Sequence, residues 1–279
     1  MNPLVTYIKQ AIFGLYTESE AFAIAKWLLT EHFHFSTMEL YGGKDRTFSE
    51  KEKQELNDIL RRLLQKEPIQ YILGREVFFN LSFEVNPSVL IPRPETEELV
   101  RWVIEEFLEE SSLKILDVGT GSGCIAISLA KHFKNASVTA WDISEDALQT
   151  AQRNAQHNRS KVQFLKQNVF DSYSSSERFH VIVSNPPYIK CCERPGMDDQ
   201  VVQWEPESAL FVPDDDPFVF YRRITDIGKC LLFPKGKLFF EINQRYGAEV
   251  CQLLRDGGFD DVELRKDMNG NDRMIKAVL

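Results

Sequence analysis

The sequence predicts an α/β protein in which a small all-helical domain precedes a doubly wound, mostly parallel sheet that ends in an antiparallel C-terminal hairpin. Three observations carry this. Residues 1 to about 66 lack a strand pattern, and their apolar positions recur at three- and four-residue spacing. Beyond Glu95, helical and strand patterns alternate to the C-terminus at the intervals of βα units. Within that alternation the apolar run Leu113 to Val118 enters a glycine turn, Gly119 to Gly123, and then a helix.

In the first segment Phe22, Ala25, Leu28 and Leu29, then Leu56, Ile59, Leu60 and Leu63, form stripes on one face of successive helices. Thr17-Glu18-Ser19-Glu20 and Thr47-Phe48-Ser49-Glu50 supply N-caps with acids in the first turn, and Gly42-Gly43 and Pro68 punctuate the intervals. Residues 1–70 therefore read as a helical bundle suited to docking a partner. Arg61, Arg62 and Lys66 on its last helix make either a basic contact for that partner or a solvated helix face.

The texture then changes. Val77-Phe78-Phe79 and Leu81-Ser82-Phe83-Glu84-Val85 are β-type runs about Asn80, followed by prolines at 87, 92 and 94, so residues 71–94 read as a β-hairpin linker. Arg93 to Thr96 either close over a site or simply stop the linker, with Thr96 capping the next helix. Residues 95–279 form the α/β domain. Leu99, Val100, Val103, Ile104, Phe107 and Leu108 form one helical stripe. Strands follow at Leu113 to Val118, Val138 to Trp141, Val162 to Leu165, Phe179 to Val183 and Lys237 to Ile242, with helices at Cys124 to Phe133, 144–157, 217–232 and 246–256. Val262 to Leu264 and Arg273 to Val278 make an antiparallel pair around Asn269-Gly270-Asn271.

Composition excludes several classes of function. With 279 residues, 43% hydrophobic and 27% charged, the chain is neither fibrous nor disordered. A formal charge of -9 argues against a wide basic surface for duplex nucleic acid. Its apolar runs, such as Ala21 to Ala25 and Val181 to Val183, fall far short of the ~18 residues of a membrane span, and Met1 to Tyr16 do not read as a signal peptide, so a cytoplasmic protein is expected. Cys124, Cys191, Cys192, Cys230 and Cys251 show no Cys-x-x-Cys spacing and read as reduced thiols. His32 and His34 have no third ligand nearby, so no metal is expected.

Three constellations carry chemistry. Asp117-Val118-Gly119-Thr120-Gly121-Ser122-Gly123 sits at the carboxyl end of the first strand of the open sheet, where such sheets place their ligand crevice, and its spacing departs from the dinucleotide Gly-x-Gly-x-x-Gly. Asp142 ends the second strand, a position from which a carboxylate accepts hydrogen bonds from ribose hydroxyls, and Ser144 is expected to cap the next helix and leave Asp142 free for the ligand. Gln167-Asn168-Val169-Phe170 ends the third, where a polar side chain beside an apolar one either brackets a purine or is an ordinary strand end. Asn185-Pro186-Pro187-Tyr188 follows the buried strand Phe179 to Ser184. Two prolines lock φ and donate no hydrogen bonds, so the Asn185 side-chain oxygen and a main-chain carbonyl are expected as free acceptors for a planar NH2 group, with Tyr188 stacking beside it. Such acceptors orient a nitrogen lone pair toward an electrophilic methyl.

On these residues the chain resembles the class I S-adenosylmethionine-dependent methyltransferases, and among them the release factor glutamine methyltransferases. The resemblance spans nearly the whole chain and adds Pro68 to Gly74, Leu90 to Glu97, Trp204-Glu205-Pro206 and Asp267 to Arg273. It implies methylation of the side-chain amide nitrogen (N5) of the glutamine in the Gly-Gly-Gln tripeptide of class 1 peptide release factors, with S-adenosylhomocysteine as co-product. It implies that Asp117, Gly119, Thr120, Gly121, Ser122 and Gly123 hold the methionine end of the cofactor, Asp142 the ribose, Asn168 and Val169 the adenine, with Asn185 touching the cofactor as well. Asn185, Pro186, Pro187 and Tyr188 would grip the glutamine as catalytic and substrate-binding residues. Two departures are visible: Asn168 and Val169 stand where the family commonly has an acid and an aromatic, and Phe211 to Asp216 replace a glycine-rich turn. No base is required, because the nitrogen becomes strongly acidic on methylation and water can take the proton. A monomer without membrane or stable nucleic-acid contacts is expected. The competing readings are a DNA amino-methyltransferase acting on a flipped adenine or cytosine, and a cofactor-binding regulator without turnover.

Overall fold

The structure, a computed structural model, describes residues 2–42, 46, 48–110, 112–172 and 177–279. The expected punctuation at Gly43 and cap at Thr47 lie outside the described residues. The chain divides into two compact units, Met1–Gly74 with Asp198–Trp204, and Arg75–Met197 with Glu205–Leu279.

The first unit contains α1 (Pro3–Ala11), α2 (Glu18–Trp27), α3 (Thr37–Tyr41), α4 (Glu50–Leu64) and α5 (Ile69–Leu73). The stripe residues Ala25, Leu28, Leu29, Leu56, Ile59, Leu60 and Leu63 are buried together, with Phe22 half-buried against them. Thr17 caps α2 in a reciprocal capping box with Glu20, and Ser49 caps α4 in another with Glu52. A third box, Ser36 with Glu39 on α3, follows the same pattern. The main chain at the end of α2 widens into a π turn over Leu28–His32. The three cations at the end of α4 are all paired within the unit. Arg61 bonds Asp58 at 3.0 Å, Arg62 the buried Glu67, and Lys66 Asp199. They therefore do not form a free basic patch.

The second unit opens with the hairpin β1 (Arg75–Phe78) and β2 (Leu81–Glu84), turned at Phe79 and Asn80, whose φ values are 50° and 59°. Positive φ at both turn positions gives the turn a twist that matches paired strands. Expected as a linker, the hairpin instead buries Phe78 and Phe83 in the core of this unit. Then come α6 (Pro94–Glu106), β3 (Lys114–Val118), α7 (Cys124–His132), β4 (Ser137–Asp142), α8 (Glu145–His157), β5 (Gln163–Lys166) and β6 (Phe179–Ser184). The short β7 (Ile189–Lys190), α9 (Asp199–Trp204, which belongs to the first unit), α10 (Glu207–Leu210) and β8 (Phe211–Val212) follow. The unit closes with α11 (Val219–Leu231), β9 (Leu232–Glu241), α12 (Gly247–Asp256), β10 (Asp260–Lys266) and β11 (Asp272–Val278). Two expectations for α6 change. Pro94 occupies the first helical turn after Arg93, so Thr96 lies inside the helix and does not cap it; Leu108 falls beyond its end and is exposed.

The main sheet runs β10-β11-β9-β6-β3-β4-β5, parallel from β9 to β5 and antiparallel at β9/β11 and β11/β10. Both faces are covered, as the apolar strand runs require. Ile115, Val181, Val183 and Phe239 pack on one face against Leu99 and Val103 of α6 and Ile125 and Leu129 of α7. Their strand neighbours Leu116, Ile182, Leu238 and Phe240 pack on the other against Ile224 and Ile227 of α11 and Val250 and Leu254 of α12. The two-residue alternation of strand side chains thus divides one sheet between two cores.

Gly123, at the entry to α7, has φ 82°, and a β-carbon there would stand 2.9 Å from Ile127 Cδ1 and 3.2 Å from Ala151 Cβ. Left-handed backbone and close helix contact both demand glycine. Gly123→Ala is expected to cost about 2 kcal/mol or more of stability, read as a lowered urea midpoint at unchanged slope.

Candidate active site

Strands β3, β4, β5 and β6 run parallel, so their carboxyl ends meet on one edge of the sheet. There a cavity of about 380 Å³, the size of a small-molecule site, is lined by Gly119 to Ser122, Asp142 to Ser144, Gln167 to Phe170 and Ser184 to Pro187. Ile91 to Arg93, Thr96 and Ser208 to Ala209 also line it.

The glycine turn is built by its own backbone. Gly119 and Thr120 both donate N–H to the Trp141 carbonyl at 2.9 Å, tying the turn to the next strand. Gly119 and Gly121 have positive φ, and a β-carbon at either would meet nothing within 4 Å, so the turn presents bare backbone to open space. Behind it Asp117 is fully buried. Its Oδ2 accepts from the Thr120 hydroxyl at 2.6 Å and from Ala126 N–H at 3.2 Å, while Oδ1 has no hydrogen-bond partner. Asp117 and Gly123, both expected at the ligand, do not line the cavity; Asp117 braces the turn and Gly123 lets α7 approach α8.

Asp142 lines the cavity but is not left free. Its Oδ2 accepts from Gly121 N–H at 2.8 Å and its Oδ1 from Ser144 N–H at 2.9 Å, even though the Ser144 hydroxyl caps α8 as expected. The Ile143 N–H bonds the same carboxylate, so three main-chain donors hold it and only part of its acceptor capacity faces a ligand. Asn168 and Val169 line the cavity too, but Asn168 Oδ1 already accepts from Phe170 N–H at 3.0 Å. The exposed apolar side chains of Ile143 and Phe170 stand at this end of the wall.

Asn185, Pro186 and Pro187 line the opposite side. The Asn185 amide N–H donates to Thr96 Oγ1 at 3.3 Å, which leaves its oxygen as the acceptor, as the sequence predicts. Tyr188 departs from expectation. It is not part of the cavity wall, and its hydroxyl donates to Glu241 Oε1 at 3.1 Å, so it anchors the loop from behind. Burial beside the Glu241 carboxylate raises the Tyr188 phenol above its usual range.

Several residues to which the sequence assigns no role of their own hold these parts in place. Buried Asn154 bridges the hairpin to the glycine turn by donating to the carbonyls of Glu84 and Ser122, both at 2.9 Å. The buried carboxylate of Glu205 accepts from Ile91 N–H at 3.2 Å and pairs with Arg93. This contact joins two of the segments that carried the family resemblance, Leu90 to Glu97 and Trp204 to Pro206. In another, Asp267 accepts from the N–H groups of Asn269 and Asn271 and pairs with Arg273 at 3.1 Å, whose charge opposes the rise that burial imposes on Glu241. Burial at the cavity wall pushes the Cys124 thiol up to about 12, which leaves it protonated and inert.

Residues 99–200 match the model of the methyltransferase small domain family, and residues 5–74 match that of the PrmC N-terminal domain. The chain is 44% identical over 278 residues to the release factor glutamine methyltransferase of Bacteroides thetaiotaomicron, covering 99% of both chains. It is 45% identical over 276 residues to that of Flavobacterium psychrophilum, covering 98% of this chain and 96% of the relative. Among solved structures, a methyltransferase from Pyrococcus furiosus aligns with a TM-score of 0.53 over 82% of this chain and 98% of that one, at 19% identity, which is a likeness of fold.

Burial pushes the Asp117 carboxyl up to about 7. The folded chain thus holds this proton more tightly than the unfolded one, and the group's contribution to stability is full below about pH 4 and lost as pH rises through about 7. Asp117→Asn is expected to flatten the fall in Tm between about pH 5 and pH 8, measured on the ligand-free chain. A parallel fall in both proteins would remove Asp117 as its cause.

Proposed function

The chain belongs to the family of release factor glutamine methyltransferases, and from that membership we propose that it transfers a methyl group to the side-chain amide nitrogen of the Gly-Gly-Gln glutamine of class 1 peptide release factors. The observation that carries the reading is the pairing, across one cavity, of a bare glycine turn with the oriented acceptor Asn185. A release factor as substrate implies a cytoplasmic enzyme. Among the described residues no helix is long and apolar enough to cross a membrane.

The residues present fit S-adenosylmethionine. Gly119 and Gly121 offer backbone without side-chain obstruction, Asp142 offers its remaining acceptor capacity to ribose hydroxyls, and Asn168 and Val169 flank the end of the cavity with Ile143 and Phe170. The partnerless Oδ1 of Asp117 places an acid behind the turn that suits a ligand bearing positive charge. The bound cofactor supplies a methyl already activated on a sulfonium.

Asn185 and the main chain of Pro186 accept the amide N–H groups of the glutamine, hold its plane and restrain its nitrogen from competing conformations. An amide nitrogen is a poor nucleophile, so alignment and acceptor hydrogen bonds are the main service this site renders, worth several kcal/mol together. The nearest buried carboxylate, Glu241, is occupied by the hydroxyls of Thr96 and Tyr188 and is not a base for the substrate. Departing protons pass to water. The N-terminal helical unit is the proposed docking module for the release factor.

The purified chain, given S-adenosylmethionine with an unmethylated release factor and, separately, a DNA duplex, is expected to add one methyl group to the glutamine of the Gly-Gly-Gln tripeptide, located by mass spectrometry. Methyl on DNA alone would replace the protein substrate with a base. Asn185→Ala is expected to lower turnover about 100-fold while cofactor affinity changes little, the size of loss that follows removal of one oriented hydrogen-bonding group.

A further inference from the structure

The orientation of Asn185 is set by Thr96, which lines the cavity beside it, and by Glu241, which does not line it. Asn185 donates its amide N–H to Thr96 Oγ1 at 3.3 Å, and the Thr96 hydroxyl donates its only proton to Glu241 Oε2 at 2.7 Å. The other carboxylate oxygen, Oε1, accepts from the Tyr188 hydroxyl at 3.1 Å. Thr96 and Glu241 are both buried, on α6 and at the end of β9, and neither belongs to the Asn185 to Tyr188 loop.

We propose that Thr96 and Glu241 are positioning residues for methyl transfer: a one-way hydrogen-bond relay from Asn185 through Thr96 to Glu241 that fixes which end of the Asn185 amide faces the substrate. The inference rests on the glutamine-methyltransferase reading above. A hydroxyl has one proton and two acceptor sites. Each Glu241 oxygen accepts a hydroxyl proton, Oε2 from Thr96 and Oε1 from Tyr188, so the one Thr96 proton is committed to the carboxylate and Thr96 is left to accept from Asn185. The NH2 end of Asn185 therefore turns toward Thr96, and the oxygen is left for the substrate. Without this constraint an amide side chain is nearly symmetric in shape, and the two flips would compete. The flipped form presents a donor to another donor and repels the glutamine NH2. Through Oε1, the same carboxylate holds the Tyr188 end of the loop, so both ends of the motif are referred to one buried group.

The test compares Thr96→Val and Thr96→Ser with the wild type on an unmethylated release factor, with kcat, KM, S-adenosylhomocysteine affinity and Tm measured for each. Valine keeps the shape and removes the acceptor; serine keeps the hydroxyl and removes the methyl. Thr96→Val is expected to lose about 10-fold or more in kcat with KM and cofactor affinity within about twofold, while Thr96→Ser stays within about threefold of the wild type. If Thr96→Val does not fold, Thr96→Ala removes the same hydroxyl without setting a methyl against the carboxylate, and the same split is expected. A Thr96→Val kcat at the wild-type level overturns the relay alone, as does a Thr96→Ser loss as deep as that of valine, which would assign the effect to packing. A wild-type chain that leaves the release factor unmethylated overturns the functional reading and the relay with it.

Discussion

A parallel sheet buried on both faces leaves its chemistry one place to go. Its backbone is paired along each strand and its side chains are committed alternately to the two cores, Ile115 and Val183 to one, Leu116 and Ile182 to the other. Only where the strands stop are N–H groups, carbonyls and polar side chains released. Because β3 to β6 and β9 all run the same way, Asp117 and the glycine turn, Asp142, Asn168, Asn185 and Glu241 are delivered to a single edge from positions as far apart as 117 and 241 in the chain.

That edge concentrates carboxylates in an interior that disfavours their charge. Asp117, Asp142 and Glu241 are all raised by burial. Each is given donors that recover part of the cost: Thr120 and Ala126 for Asp117, Gly121 and Ser144 for Asp142, Thr96 and Tyr188 for Glu241. The donors are themselves parts of the site. The same hydrogen bonds therefore tie down the glycine turn and the Asn185 loop, and the architecture trades stability for a fixed arrangement of acceptors. Glu205 plays a comparable part at the rim, where it ties Ile91 and Arg93 to the segment that leads into α10.

Much was legible in the residue order because local rules governed it. The strands follow from apolar runs, the helices from three- and four-residue spacing, and the caps at Thr17 and Ser49 from a serine or threonine with an acid three residues on. The chemistry-bearing motifs were legible for a similar reason: glycine at positive φ and consecutive prolines restrict backbone within a few residues, so Gly119 to Gly121 and Asn185 to Pro187 announce their geometry before any fold is known. The missed residues have no such local mark. Asn154 and Glu241 look like ordinary members of a helix and a strand, and their partners lie 70 and 145 residues away.

The sequence alone determined the order of helices and strands, the glycine turn and, through the resemblance its motifs carry, the reaction class. Tertiary structure decided which of those side chains reach the cavity. It turned Asp117 and Gly123 into supports, drew Tyr188 out of the wall to Glu241, engaged Asp142 with main-chain donors, and paired Arg61, Arg62 and Lys66 with acids. The physical reason is that backbone conformation is set by neighbours in the chain, whereas a hydrogen bond or ion pair is made with whatever donor the fold brings within about 3 Å, and the pattern of residues does not specify that donor.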